Sequence, residues 1–224
     1  MRAENLFDKI QRQRSNRKTR KTQPYLTYTE KSKRSEKLLE QIEEKIPDKK
    51  CLNEALSQFI ISDITAFEIY FKDLFILGLK SPRFFNSESE IGFLFRFEKL
   101  VDRKFDFHDL IIIDKEQIEL PELLLQYQNF QNLDIINKAF SILVDDDFFH
   151  NIETLTFKLF DENDNSRILA TDWKKKADEY IKLRHDLVHD FNPELGLNRK
   201  YVTELHQNLG IVVLTSDIYF TING

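Results

Sequence analysis

Apolar residues recur along this chain mostly at spacings of three and four, the period of a helix that turns one face to a core. The clearest stretch runs from Leu52 to Leu79, where Leu56, Phe59, Ile60, Ile64, Phe67, Phe71, Leu74 and Phe75 share one side. Gly78 and the Ser81-Pro82 pair mark its expected end. A second long helix is expected from Ile168 to Phe191. At about 100° per residue, Leu169, Ala170, Trp173, Ala177, Tyr180, Ile181, Leu187, Val188 and Phe191 fall in one stripe there. It stops at Asn192-Pro193, because the residue before a proline avoids the α region. The pattern predicts shorter helices over Lys37 to Lys45, Glu90 to Val101, from Pro121 onward, Asn132 to Val144, and Arg199 to Ile218. The acidic triplet Asp145–Asp147 breaks the fourth of these. Thr154 to Phe160 alternates weakly, like a short strand. Residues 105–120 fit either an extended segment or a buried turn of helix. No segment repeats at a fixed period, which excludes a solenoid.

Composition supports an all-α fold. Five Gly and five Pro in 224 residues are too few for the turns of a sandwich, barrel or doubly wound sheet, and twenty Phe can fill a sizeable core. One cysteine, Cys51, permits no intrachain disulfide and no zinc ribbon, so a reducing, cytoplasmic setting is expected. The first residues lack the apolar run of a secretory signal. No stretch approaches the roughly 18 apolar residues of a membrane span.

The net charge of −5 conceals a polarity: residues 1–37 hold twelve Lys/Arg against four acids. Residues 1–37 are therefore expected to be a mobile or partly helical basic arm, and 38–224 the helical domain. The stretch from Arg12 to Gln23 has almost no apolar residues to offset the entropy of ordering. Such an arm is either a solvated tail or a non-specific grip on phosphates, through Arg12, Arg14, Arg17, Lys18, Arg20 and Lys21.

The chemistry centres on the second long helix. Arg184 falls inside its apolar stripe, between Ile181 and Val188, with His185 and His189 just beside it. A guanidinium keeps its proton, so it must meet a carboxylate, an anionic ligand or a wet groove. On the first long helix Asp63 falls inside the apolar stripe and Glu68 at its edge. An Arg184–Asp63 pair that merely fixes helix register is the structural alternative. The chemical one is RNA cleavage, which needs proton transfer near neutral pH and a cation on the phosphorane, matched by His189 and Arg184. His185 and His189 also stand at a metal-ligand spacing, but the His-Glu-x-x-His pattern is absent and no third ligand is near, so neither a metal nor a cofactor is expected. His108, His150 and His206 are isolated and read as surface or core histidines. Cys51 reads as a structural thiol.

The segment Tyr180-Ile181-Lys182-Leu183-Arg184-His185-Asp186-Leu187-Val188-His189 resembles the Arg-polar-x3-His signature of HEPN domains. The polar residue after the arginine is most often Asn in that family; here it is His185. ISDITAFEIYFKDLF (61–75) is similar to the family's first long helix, and QNLDIINKAFSILVDDDFFHNI (131–152) to the segment between its two long helices in a prokaryotic branch. The resemblance implies an all-α bundle with two long helices that dimerises through the motif helices, placing two Arg/His sets across a groove. It also implies a metal-independent endoribonuclease acting as a toxin or in anti-phage defence. RNA would be the substrate and an antitoxin a possible partner. Arg184 and His189 match the catalytic pair and His185 the polar position. The family's acid on the first long helix aligns with Glu68, whereas helical geometry favours Asp63. A non-catalytic module that binds nucleotide, RNA or protein is the alternative.

Overall fold

A computed structural model of the chain describes residues 23–46, 48–81, 130–144, 146–155, 157–158, 166–167, 169–189 and 197–223, with isolated positions between 92 and 125. Among these the fold is α-helical apart from one two-residue antiparallel ladder. Helix α1 spans Pro24–Lys45 and α2 Lys49–Lys80; α3 spans Leu133–Val144 and α4 Phe148–Thr154. Strands β1 (Phe157–Lys158) and β2 (Ser166–Arg167) pair next, followed by α5 (Trp173–His189) and α6 (Arg199–Asn223). Helix α2 is the central element, packed against α1, α3, α5 and α6.

Helix α1 begins at a proline, which fits the first helical position because its missing N–H would have no partner there. It runs on through residue 37, and Tyr28 and Leu39 are both buried against the bundle. The expected boundary between arm and domain is therefore corrected: residues 24–37 belong to the packed helix. Arg12, Arg14, Arg17, Lys18, Arg20 and Lys21 lie outside the described residues.

Helix α2 is capped by Asp48, whose carboxylate accepts the Lys50 N–H at 3.3 Å. Every apolar position expected on its core face is buried. Gly78 is not the terminator that the sequence suggests, since the helix continues to Lys80. A Cβ at this position would stand 2.5 Å from Leu143 Cδ2 and 3.1 Å from Phe220 Cε1. The missing side chain is what lets α3 and α6 approach α2 so closely.

The chain then shows why its polar punctuation matters. Asn132 Oδ1 accepts the N–H groups of Asp134 (2.8 Å) and Ile135 (3.3 Å) and starts α3. Asp147 accepts the His150 N–H at 2.8 Å and starts α4, so the acidic triplet not only ends one helix but also caps the next. Helix α5 starts at Trp173 rather than Ile168. Leu169 is buried but lies in irregular backbone ahead of the helix, so an apolar stripe that looked helical from end to end is only partly so. Asn198 Oδ1 accepts the Tyr201 N–H at 3.2 Å and starts α6, which extends past Ile218 to Asn223. Of the helices expected at 90–101 and from Pro121, Gly92, Arg96, Glu98, Lys99 and Glu122 are helical, while Leu125 lies in a turn. The remainder of those two helices lies outside the described residues.

Phe140 of α3 is the hub of an aromatic core. Its ring lies 5.6 Å from Phe71, 5.5 Å from Phe75, 4.8 Å from Phe148 and 5.5 Å from Phe220, centre to centre. Three of these contacts are edge-on, the arrangement that aromatic quadrupoles favour. Phe140→Ala would leave a cavity where α2, α3, α4 and α6 meet. It is expected to cost about 3–5 kcal/mol, read as a lowered urea midpoint with an unchanged slope.

Candidate functional site

Two polar clusters interrupt the apolar interior, and each is organised by one carboxylate of α2. The first contains Arg184. Its Nη1 donates to Gln131 Oε1 at 2.9 Å, and Gln131 Nε2 donates to Glu68 Oε2 at 2.7 Å. Glu68 Oε1 is paired with Lys72, one turn along the same helix. The amide can take only one orientation here, because a guanidinium needs an acceptor and a carboxylate needs a donor. Arg184 is half-buried, and its Nε is buried with no hydrogen-bond partner.

His185 and His189 stand on the same helix with both rings exposed, 4.4 Å apart centre to centre. Burial along α5 fades in this direction. Trp173, Ala177 and Tyr180 are buried, Ile181, Leu183 and Leu187 are half-buried, and Val188 is 40% exposed. The helix is thus anchored at its start and open at the end that carries Arg184, His185 and His189. Among the described residues, no group of three or more His, Cys, Asp or Glu side chains could hold a metal ion. No described helix is long and apolar enough to cross a membrane.

The second cluster takes the other acid. Asp63, 2% exposed, accepts a hydrogen bond from His206 Nδ1 at 2.8 Å, and so does not pair with Arg184. The expected Arg184–Asp63 register pair is corrected: α6 presents the partner of Asp63, and Arg184 reaches an acid only through Gln131. His206 Nε2 faces α1, with Ser32 Oγ at 3.2 Å and Glu36 Oε1 at 3.4 Å. The sequence left His206 as an isolated core or surface residue. Its signal was position: it lies beside Val202, Leu205 and Leu209 on the buried face of α6, as Arg184 does in its own stripe.

Burial alone pushes the His206 imidazole down. The hydrogen bond and charge of Asp63, with Glu36 beyond, outweigh burial and hold the ring above its ordinary value. Burial, with the Asp63 charge, also raises the hydroxyls of Tyr28 and Tyr180 well above the usual tyrosine range. Both hydroxyls lie near Asp63 without closing a well-formed hydrogen bond. The order serine–histidine–aspartate matches a nucleophile triad on distance alone. A second carboxylate on the same ring nitrogen favours the imidazolium, however, which cannot take a proton from Ser32. This cluster is a pin that fastens α1 and α6 to α2.

The remaining candidates carry less. His150 is exposed, and His108 lies outside the described residues. Cys51 is exposed at the start of α2, and its thiol is raised by a hydrogen bond to Asp48, which makes it a poor nucleophile. No family model matches the chain, and neither a curated protein nor a solved structure matches it.

His206→Ala leaves Asp63 buried without its donor and is expected to cost about 3–5 kcal/mol. The sign with pH follows from the raised ring. The stabilisation from protonating His206 is complete below the unfolded value of about 6.5 and disappears as pH rises through the folded value. Urea unfolding from pH 6 to 9 should show wild type losing part of its advantage over His206→Gln as the solution becomes alkaline. A constant difference across that range would contradict the charged pin.

Proposed function

We propose that this chain is a metal-independent endoribonuclease of the HEPN type, acting as a toxin or anti-phage defence component. One observation carries the reading. Arg184 and His189 share the open end of α5, with the imidazole in solvent and the guanidinium held through one nitrogen only. An arginine paired head-on with a carboxylate and closed off from solvent would have pointed to a purely structural role.

In this reading Arg184 holds the non-bridging oxygens of the scissile phosphate and stabilises the charge that grows on them. The ribose 2′-oxygen attacks phosphorus, the P–O5′ bond breaks, and the products are a 2′,3′-cyclic phosphate and a 5′-hydroxyl. One proton leaves the 2′-hydroxyl and one is delivered to O5′. His189 performs one of these transfers, and His185 orients the RNA or assists. A second copy of the chain, packed on the exposed end of α5 around Val188, would bring a second Arg/His set to the same groove. The basic residues Arg12 to Lys21 would add salt-dependent affinity for the RNA backbone.

Labelled RNA incubated with purified protein in excess EDTA tests the assignment. Wild type should cleave, and Arg184→Ala and His189→Ala should each lose about 10²–10⁴-fold in rate. The products should carry cyclic phosphate ends. Cleavage at the wild-type rate by both variants would remove the site. Tight RNA binding without cleavage would instead favour a binding module on the same helix.

A further inference from the structure

Glu68 is the one carboxylate in a four-residue chain that runs Lys72–Glu68–Gln131–Arg184. The chain holds two positive groups and one negative. Lys72 contacts Glu68 directly, whereas Arg184 reaches it only through a neutral amide. Direct contact would have satisfied Arg184 more fully, since a bidentate arginine–carboxylate pair is the stronger geometry. The amide supplies orientation with little neutralisation.

The side on which the amide binds matters equally. A guanidinium presents two oxygens of a phosphate with a pair of parallel N–H groups, and the Nε–Nη2 edge is one such pair. Gln131 occupies Nη1. Nη2 has no hydrogen bond among the described residues, and Nε is buried with no hydrogen-bond partner. Of the two, Nη2 is the donor left open to a ligand; Nε is enclosed by the protein, and its unmet hydrogen bond is a cost of the packing.

We infer that Gln131 is a positioning residue for Arg184, an amide spacer that fixes the guanidinium by Nη1 and leaves Nη2 for an oxygen of an anion such as an RNA phosphate. The identity of that anion rests on the nuclease reading; the positioning does not. Gln131 stands at the first turn before α3, on a different segment from both Glu68 and Arg184. It reaches the site through two hydrogen bonds of its amide, one to Glu68 and one to Arg184.

The test compares Gln131→Ala, Arg184→Ala and the double variant, with melting curves to separate loss of fold from loss of site. Gln131→Ala should lower kcat for RNA cleavage roughly tenfold to a hundredfold, with a smaller change in KM. It should cost nothing further in the Arg184→Ala background, because the two act as one unit. Gln131→Ala cleaving at the wild-type rate while Arg184→Ala and His189→Ala are inactive would overturn the positioning role and leave the nuclease reading standing. If neither Arg184 nor His189 matters to cleavage, the nuclease reading fails instead. The positioning role is then read from the Arg184 Nε–H resonance in ¹⁵N-labelled protein. A displaced or exchange-broadened signal in Gln131→Ala supports the spacer, and an unchanged signal overturns it.

Discussion

Helix α2 is enclosed by α1, α3, α5 and α6, so a charged side chain on its inner faces must find a partner or leave the helix poorly buried. Two carboxylates meet this constraint in different ways. Asp63 and Glu68 are five residues apart, which at about 100° per residue separates them by roughly 140° around the helix. They cannot serve the same partner. Asp63 turns to His206 and fastens α6, with Ser32 and Glu36 of α1 on the far side of the ring. Glu68 turns to Lys72 and Gln131, and through Gln131 to α5. The rotation of α2 about its own axis is thus held by two polar junctions as well as by the aromatic core.

The apolar pattern made the inner face of α2 legible, because a 32-residue helix buried along one side must repeat every three to four residues. It was less reliable at the ends of elements. Leu169 fits the stripe of α5 and is buried, yet it lies in irregular backbone before the helix; burial and helicity are separate properties, and periodicity reports only the first. Helix α1 was cut short for the opposite reason. Its charged surface conceals Tyr25, Tyr28 and Leu39, and the starting signal of Pro24 is visible only when those three are taken as its inner face. Caps such as Asn132, Asp147 and Asn198 follow the ordinary chemistry of short polar side chains at helix starts.

Partner choice was the part that sequence could not settle. A helical wheel says which side a residue faces, but not which helix lies on that side. It placed Asp63 and Arg184 each in an inner stripe, and pairing them was a natural step; the packing instead puts α6 opposite Asp63. Arg184 and His206 were the same kind of anomaly, a basic group in an apolar seam, and the structure separates them. His206 is 2% exposed, with a carboxylate on one ring nitrogen and Ser32 and Glu36 at the other. Arg184 is half-buried and bonded through one nitrogen. The first arrangement is accounted for by stability, whereas the second leaves donor capacity on Arg184 unused.

The amide between Arg184 and Glu68 explains how such a group can persist. A lone guanidinium in an apolar stripe would be too costly, and a carboxylate in contact with it would satisfy the charge but compete with any incoming anion for the same donors. Moving the carboxylate one amide away weakens its Coulomb attraction by roughly half, since that energy falls as the inverse of distance. The hydrogen bond to Gln131 recovers part of the desolvation cost without adding negative charge at the site. Lys72 meanwhile pairs with the same carboxylate directly. The result is a cation kept at the open end of α5 by a neutral tether, beside two exposed imidazoles.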